Sequence, residues 1–272
     1  VAVNGSAVAG ERRIALLIDA DNVSHTQIAA ILAELSARGT VNIRRAYGDW
    51  GSPHLAGWKA QLHDFAIRPI QQFSYTAGKN ATDIALVIDA MELLYTQKLD
   101  GFCIASSDAD FTPLVMQLKA NGHEVYGFGE RKTPAPFVNA CTTFLYLDTI
   151  VQVGVPPKAA APATSAKEPN AEKPAPVAPK PAKTKVLAMD TKLVTILRGA
   201  VEATKRDDGW ATLASAGGAV RRQAPIDPRN YEKRNFSALF EATGLFEIVK
   251  GPNGLTYIAD KRNKDRTETP KP

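Results

Sequence analysis

Two apolar patterns alternate along residues 12–150. Short buried-type runs at Arg13–Ile18, Gly101–Ala105 and Glu124–Gly129 read as strands. Val41–Tyr47 alternates apolar and polar positions and reads as another, as do the short segments Ile67–Gln71 and Thr143–Leu147. Stretches with helical spacing lie between them. One starts at Ser24, a good cap residue, carries Ile28, Ile31, Leu32 and Leu35 on one face, and stops at Gly39. A second follows Pro53 and carries Leu55, Trp58, Leu62 and Phe65. Further helices are predicted from Thr82 to about Gln97, over Phe111–Ala120 and over Pro136–Ala140. This β–α alternation predicts an α/β domain, a mostly parallel sheet with helices on both faces.

The pattern stops at about residue 151. Residues 151–185 form a Pro/Ala/Lys tract without periodicity or aromatic residues, which reads as an extended linker. Periodicity returns over 186–260. Asp190 can cap a helix bearing Leu193, Ile196, Leu197 and Val201; a helix-like stretch surrounds Ala219; and Phe236–Phe240 is a short helix. Phe246–Lys250 and Leu255–Ala259 read as strands joined through Gly251–Gly254. Helices followed by a hairpin predict a small winged helix-turn-helix domain. The polar residues 261–272 are expected to form a disordered tail.

Composition narrows the function classes. Apolar residues make up 44% of the 272, enough for a core, and no run approaches the length of a membrane span. Val1–Gly10 has neither a basic start nor a long apolar segment, so it does not read as a secretory signal. Cys103 and Cys141 sit far apart in apolar contexts, which fits a cytoplasmic chain with buried thiols and argues against a zinc site. Residues 1–150 carry a net charge of −3, residues 151–185 a net +4 and residues 186–272 a net +4. An acidic front and a basic rear predict catalysis in the first part and polyanion binding in the second, although a merely solvated surface accounts for charges of this size equally well.

Candidate chemistry lies where the apolar runs end. Asp19 closes the first strand, Asp83 opens the Thr82 helix, and Asp108 and Asp110 follow the strand Gly101–Ala105. In an open α/β sheet, ligands bind beyond the carboxyl ends of strands. Acids gathered there suit magnesium or manganese, which favour hard oxygen ligands and can activate water against a phosphodiester. Asn22 is placed to orient a ligand or water, Ser106 and Ser107 to donate hydrogen bonds, and Lys79 to contact phosphate. Each residue also has a purely structural reading. Asp19, Asp21 and Asn22 suit a turn, Asp83 the positive end of its helix, Asp108 a helix cap, and Lys79 an exposed loop. Asp89 reads as a polar-face residue. The combination at corresponding strand ends and helix starts favours a site.

These residues resemble the NYN domain family of the PIN-like nuclease superfamily, and within it the bacterial LabA-like branch. The resemblance rests on Ile18-Asp19-Ala20-Asp21-Asn22, Lys79-Asn80-Ala81-Thr82-Asp83-Ile84, Ser106-Ser107-Asp108-Ala109-Asp110-Phe111 and Gly122–Gly129. It implies a PIN-like three-layer α/β/α fold and a metal-dependent ribonuclease, with Asp19, Asp83, Asp108 and Asp110 as the acidic pocket. The rear part resembles the OST-HTH, or LOTUS, domain through Gly209–Leu213, Asp227–Tyr231, Phe236–Phe240 and Gly244–Ile248. That resemblance implies a winged-helix RNA-binding module. From the residues themselves, Arg221, Arg222, Arg229, Lys233 and Arg234 form a basic cluster suited to RNA phosphates. Trp210, Phe236 and Phe246 read as core, and Tyr231 suits packing or stacking.

Three functions remain open at this level. The first is a divalent-metal ribonuclease with an RNA-binding module. The second is a non-catalytic RNA-binding or regulatory adaptor on the same folds, with a protein partner or a second copy engaged through either domain. The third is a haloacid-dehalogenase-type phosphatase, raised by the Asp-x-Asp pair Asp19 and Asp21.

Overall fold

The computed structural model describes residues 11–73, 81–151, 187–251, 253–264 and 266–271. Lys79 and the tract 152–186 lie outside the described residues. The chain divides into two compact units, one comprising residues 1–154 and 217–235, the other 155–216 and 236–272.

The first unit is built on a parallel sheet of six strands: β1 (Arg13–Asp19), β2 (Thr40–Gly48), β3 (Arg68–Gln71), β4 (Gly101–Ala105), β5 (Glu124–Gly129) and β6 (Thr143–Tyr146). Their order across the sheet is β3-β2-β1-β4-β5-β6, with every pairing parallel. The continuous apolar runs follow from burial on both faces. Ile14, Leu16 and Ile18 of β1 point into one apolar cluster. It includes residues of α1 (Ile28–Ser36), α2 (Trp58–Asp64) and α6 (Leu147–Val151). Ala15 and Leu17, on the other side of the strand, join residues of α3 (Ala81–Thr96), α4 (Thr112–Ala120) and α5 (Ala135–Ala140). Ser24 does not start an α-helix directly. It caps a 3₁₀ turn, His25–Gln27, and the α-helical pattern begins at Ile28.

The second unit contains α7 (Thr191–Thr204), whose Asp190 cap accepts a hydrogen bond from the Leu193 amide at 3.0 Å. The short strand β7 (Ala211–Thr212) pairs antiparallel with β9 (Thr256–Asp260), which pairs with β8 (Phe246–Lys250). Trp210 and Tyr257 are fully buried beside this sheet. Helix α8 (Leu213–Gln223) contains the boundary between the units, and α9 (Phe236–Thr243) returns the chain to the second. The residues expected to form a disordered tail are held by hydrogen bonds. The Trp210 indole donates to the Thr267 carbonyl at 3.0 Å, and the Lys271 amide donates to Asp208 at 2.9 Å. A buried indole N–H and a buried carboxylate each need a partner, and these bonds provide one.

Candidate active site

Strand order reverses between β1 and β4, since β2 and β3 extend one way from β1 while β5 and β6 extend the other way from β4. The crevice at such a switch point, beyond the carboxyl ends of the strands, is the usual ligand position in an open sheet. Asp19 ends β1, and Ile18 pairs with Ala105, so the next residue of each strand, Asp19 and Ser106, meet at that edge.

Asp19 is 1% exposed, and both of its carboxylate oxygens accept hydrogen bonds. One carboxylate oxygen accepts from the Asn22 side-chain amide at 2.6 Å and from the Ser106 hydroxyl at 2.8 Å. The other accepts from the Asp21 amide at 3.2 Å. Burial raises its pKa. The bonds from Asn22 and Ser106 oppose that shift, and the nearby Asp21 charge adds to it. Ser106 also accepts from the Asp108 amide at 3.1 Å. Asp108 in turn accepts from the Asp110 amide at 2.9 Å, capping the 3₁₀ turn that leads into α4. The cap reading of Asp108 and its place at the acidic edge are therefore both realised. Ser107 accepts from the Glu130 amide at 2.8 Å, tying the loop after β4 to the loop after β5. Gly129 permits this approach, because a Cβ there would stand 2.7 Å from the Ser106 carbonyl oxygen.

Asp83, in the first turn of α3, completes the group. Its pKa is pushed up to about 6, first by burial and then by the charges of Asp19, Asp108, Asp110 and Asp21. The acids from β1, α3 and the β4–α4 loop thus share one electrostatic environment. Asp21, read from sequence as a turn residue, belongs to it as well. It accepts from Thr82 at 3.3 Å and lies 3.2 Å from the His54 imidazole, which is 2.7 Å from the Ser52 hydroxyl. Sequence reading missed His54, which offers only a weak signal: a Ser-Pro-His turn in the loop after β2, on the same sheet edge. Asp89 is a correction. It is not a solvated polar-face residue, because Arg45 and Tyr47 of β2 both donate to its half-buried carboxylate.

Residues 13–148, half of the chain, match the NYN domain. The chain belongs to the NYN domain family. The NYN domain falls in the PIN-like nuclease superfamily, so the acidic edge stands on a nuclease-type scaffold. An OST-HTH/LOTUS domain follows the NYN domain, matching residues 187–258. Uncharacterized protein MJ0482 of Methanocaldococcus jannaschii is 30% identical over 125 residues, covering 44% of this chain and 48% of that protein. The chain thus spans about half the length of this curated relative. A crystal structure of a protein of unknown function, VPA0982 from Vibrio parahaemolyticus, is 19% identical with a TM-score of 0.43, covering 50% of this chain and 93% of that one.

The basic residues expected to face RNA divide into three groups. Arg221 and Arg222 are exposed in the last turn of α8. Arg229 departs from the expectation. Within the first unit its guanidinium donates to both carboxylate oxygens of Glu34, at 2.8 Å for one, and to both of Asp227. These acids raise its pKa further and occupy most of its donors. Lys233 and Arg234 line a cleft with Arg131 and Thr149. No helix among the described residues is long and apolar enough to cross a membrane.

Proposed function

We propose that the NYN domain is a divalent-metal-dependent ribonuclease that hydrolyses RNA phosphodiester bonds at its acidic edge, supplied with RNA by the OST-HTH domain. The observation that supports this best is the placement of Asp19 at the end of β1 and Asp108 after β4, joined through Ser106 at the switch point, with Asp83 in the first turn of α3 close enough that, after burial, the charges of Asp19, Asp108 and Asp110 raise its pKa. Among the described residues, no group of three or more His, Cys, Asp or Glu side chains is arranged to hold a metal ion as it stands. Magnesium fits such an edge all the same. It keeps several of its own waters and is commonly held through one or two carboxylates together with substrate phosphate oxygens. One or two carboxylates drawn from Asp19, Asp83, Asp108 and Asp110 would hold magnesium or manganese, with the remaining acids close by. When bound, the ion supplies a water of lowered pKa and offsets charge at the scissile phosphate. Asn22 and Ser106 fix the rotamer of Asp19, and the Asp108 amide fixes Ser106 in turn.

The test is a gel assay on end-labelled RNA and DNA with magnesium or manganese. Wild type is expected to cut RNA; chelator and Asp108→Asn are each expected to lower the rate by roughly 100-fold or more, with the circular dichroism spectrum unchanged. RNA that is bound but left intact in both metals rejects the nuclease reading in favour of the adaptor.

A further inference from the structure

The first unit has a second polar feature on the same edge of the sheet. Strands β5 and β6 are parallel to β4, so the residues that follow them, Arg131 after Gly129 and Asp148–Thr149 after Tyr146, emerge at the edge that carries Asp19 and Asp108. Together with Glu232, Lys233 and Arg234 they line a cleft of about 320 Å³. Neighbouring strands stand ~4.8 Å apart, which places β6 roughly 10 Å from β4 across the edge. One extended strand of RNA can lie over both positions. The Ser107–Glu130 hydrogen bond couples the two loops directly.

Specific interactions hold the cleft in place. The Asn230 side chain acts as a surrogate strand partner for the sheet's edge, donating to the Phe144 carbonyl at 2.8 Å and accepting from the Tyr146 amide at 3.2 Å. Arg229, paired with Glu34 and Asp227, anchors the same turn. Arg131 pairs with Asp148 at 2.9 Å and lies over the Tyr146 ring at 4.9 Å. These pairs leave the Lys233 and Arg234 side chains outside any ion pair among the described residues, with Glu232 as the opposing charge. The lining thus keeps an excess of positive charge where the edge near Asp19 is strongly negative.

We propose that this cleft is a subsite for a backbone phosphate of the RNA strand, a nucleotide or two from the bond that is cut, with Lys233 and Arg234 binding the phosphate and Arg131 as the wall. The proposal rests on the nuclease reading only for its distance from the bond that is cut; phosphate capture itself needs no cleavage. The acidic edge cannot hold a polyanion by itself, so the subsite provides an attraction that positions the strand beside it.

The experiment titrates a short fluorescein-labelled oligouridylate by anisotropy, in chelator and over a range of salt. The full chain, Lys233→Ala/Arg234→Ala and the control Lys59→Ala/Lys98→Ala, which removes the same charge from elsewhere on the unit, are compared. The test pair is expected to weaken binding roughly tenfold and to flatten the plot of log affinity against log salt by about 0.7 for each phosphate that is no longer neutralised. In the cleavage assay its KM rises while kcat stays unchanged, and Lys233→Arg/Arg234→Lys recovers most of the affinity. Unchanged affinity and slope in the test pair overturn the proposal, as does an equal weakening in the control pair or an absence of RNA binding by the full chain at low salt. If the full chain binds and the test pair weakens it but neither metal supports cleavage, the subsite stands and the nuclease reading falls. If cleavage proceeds and the KM of the test pair matches wild type, the subsite falls alone.

Discussion

Asp83 is poorly placed for stability. Its carboxyl is half-buried among four other aspartates, and its folded pKa of about 6 lies above the ordinary 3.8. Between those two values the folded state binds more protons than the unfolded state, so this group's contribution to stability declines as pH rises through the window. Above it, the ionised Asp83 is a standing cost. Asp83→Asn is therefore expected to stabilise the protein at neutral pH by about 1 kcal/mol, a figure reduced for solvent screening of a half-exposed group. The gain should disappear below about pH 4, where both states are protonated. Thermal melts of wild type and variant over pH 4–8 check this; a variant less stable than wild type at pH 7 would show that Asp83 serves mainly as a helix-terminal residue. Stability sacrificed in this way is what the proposed site requires of Asp83. Asp19, Asp108 and Asp110 were visible in the sequence because apolar runs stop just before them, and Asp83 because it opens a helix. The parts played by Asp21 and His54 were not, because their interactions join the loop after β1 to the loop after β2 and to α3, and local spacing carries no trace of that.

At the scale of elements, α3 determines where Asp83 stands. The helix is apolar on several sides, and its hold on the sheet includes one polar interaction, Asp89 with Arg45 and Tyr47. Burial, then the bonds and charge of Asp89, push the Tyr47 hydroxyl up. Tyr47 therefore remains a neutral donor, and Arg45 balances the carboxylate. Asp89→Asn keeps the shape of the side chain but leaves Arg45 half-buried without its counter-charge, and is expected to destabilise by about 2–3 kcal/mol. In the cleavage assay kcat should fall with it, since the register of α3 sets the position of Asp83 relative to Asp108. Urea melts and single-turnover rates measure the two effects, and a stable variant with wild-type kcat would remove Asp89 from any positioning role. The strands and the main helices were legible because burial on two faces writes continuous apolar runs and burial on one helix face writes a 3.6-residue period. The 3₁₀ turns at His25–Gln27 and Ala109–Phe111 were not, since Ser24 and Asp108 offer the same cap chemistry to either kind of helix.

At the scale of the whole molecule, the domain pattern in the sequence and the packing of the chain do not coincide. The OST-HTH match is continuous over 187–258, yet residues 217–235 pack with the first unit. Glu34 and Arg229 are 195 residues apart and form a two-point pair. Burial acts to raise the Glu34 carboxyl, but the Arg229 bond and charge, with Arg38, outweigh it and the net shift is downward. Asp227 is lowered on the same balance. Arg229→Ala removes the main partner of both acids and leaves them only Arg38, 3.0 Å from Glu34 and 4.0 Å from Asp227, and is expected to cost about 2 kcal/mol at neutral pH. Acids with lowered folded pKa values contribute stability above their unfolded values and lose it as pH falls through the folded ones. The gap between wild type and variant should therefore narrow below about pH 4. Equal melting temperatures at pH 7 would show that the turn is held without this pair.

The sequence alone determined the alternation of strand and helix, the two-part organisation and the row of acids at strand ends. Each of these follows from local chemistry: the periods of burial, the turn preferences of Asp, Asn and Gly, and the composition of the 151–185 tract. Only the tertiary structure decided the strand order that puts β1 beside β4, and with it the convergence of Asp19, Asp83, Asp108, Asp110 and Asp21 at one edge. It also decided that Asp89 and Arg229 serve packing, and that Lys233 and Arg234 share a cleft with Arg131. Those outcomes depend on residues tens to hundreds of positions apart meeting in space, where spacing along the chain says nothing about distance.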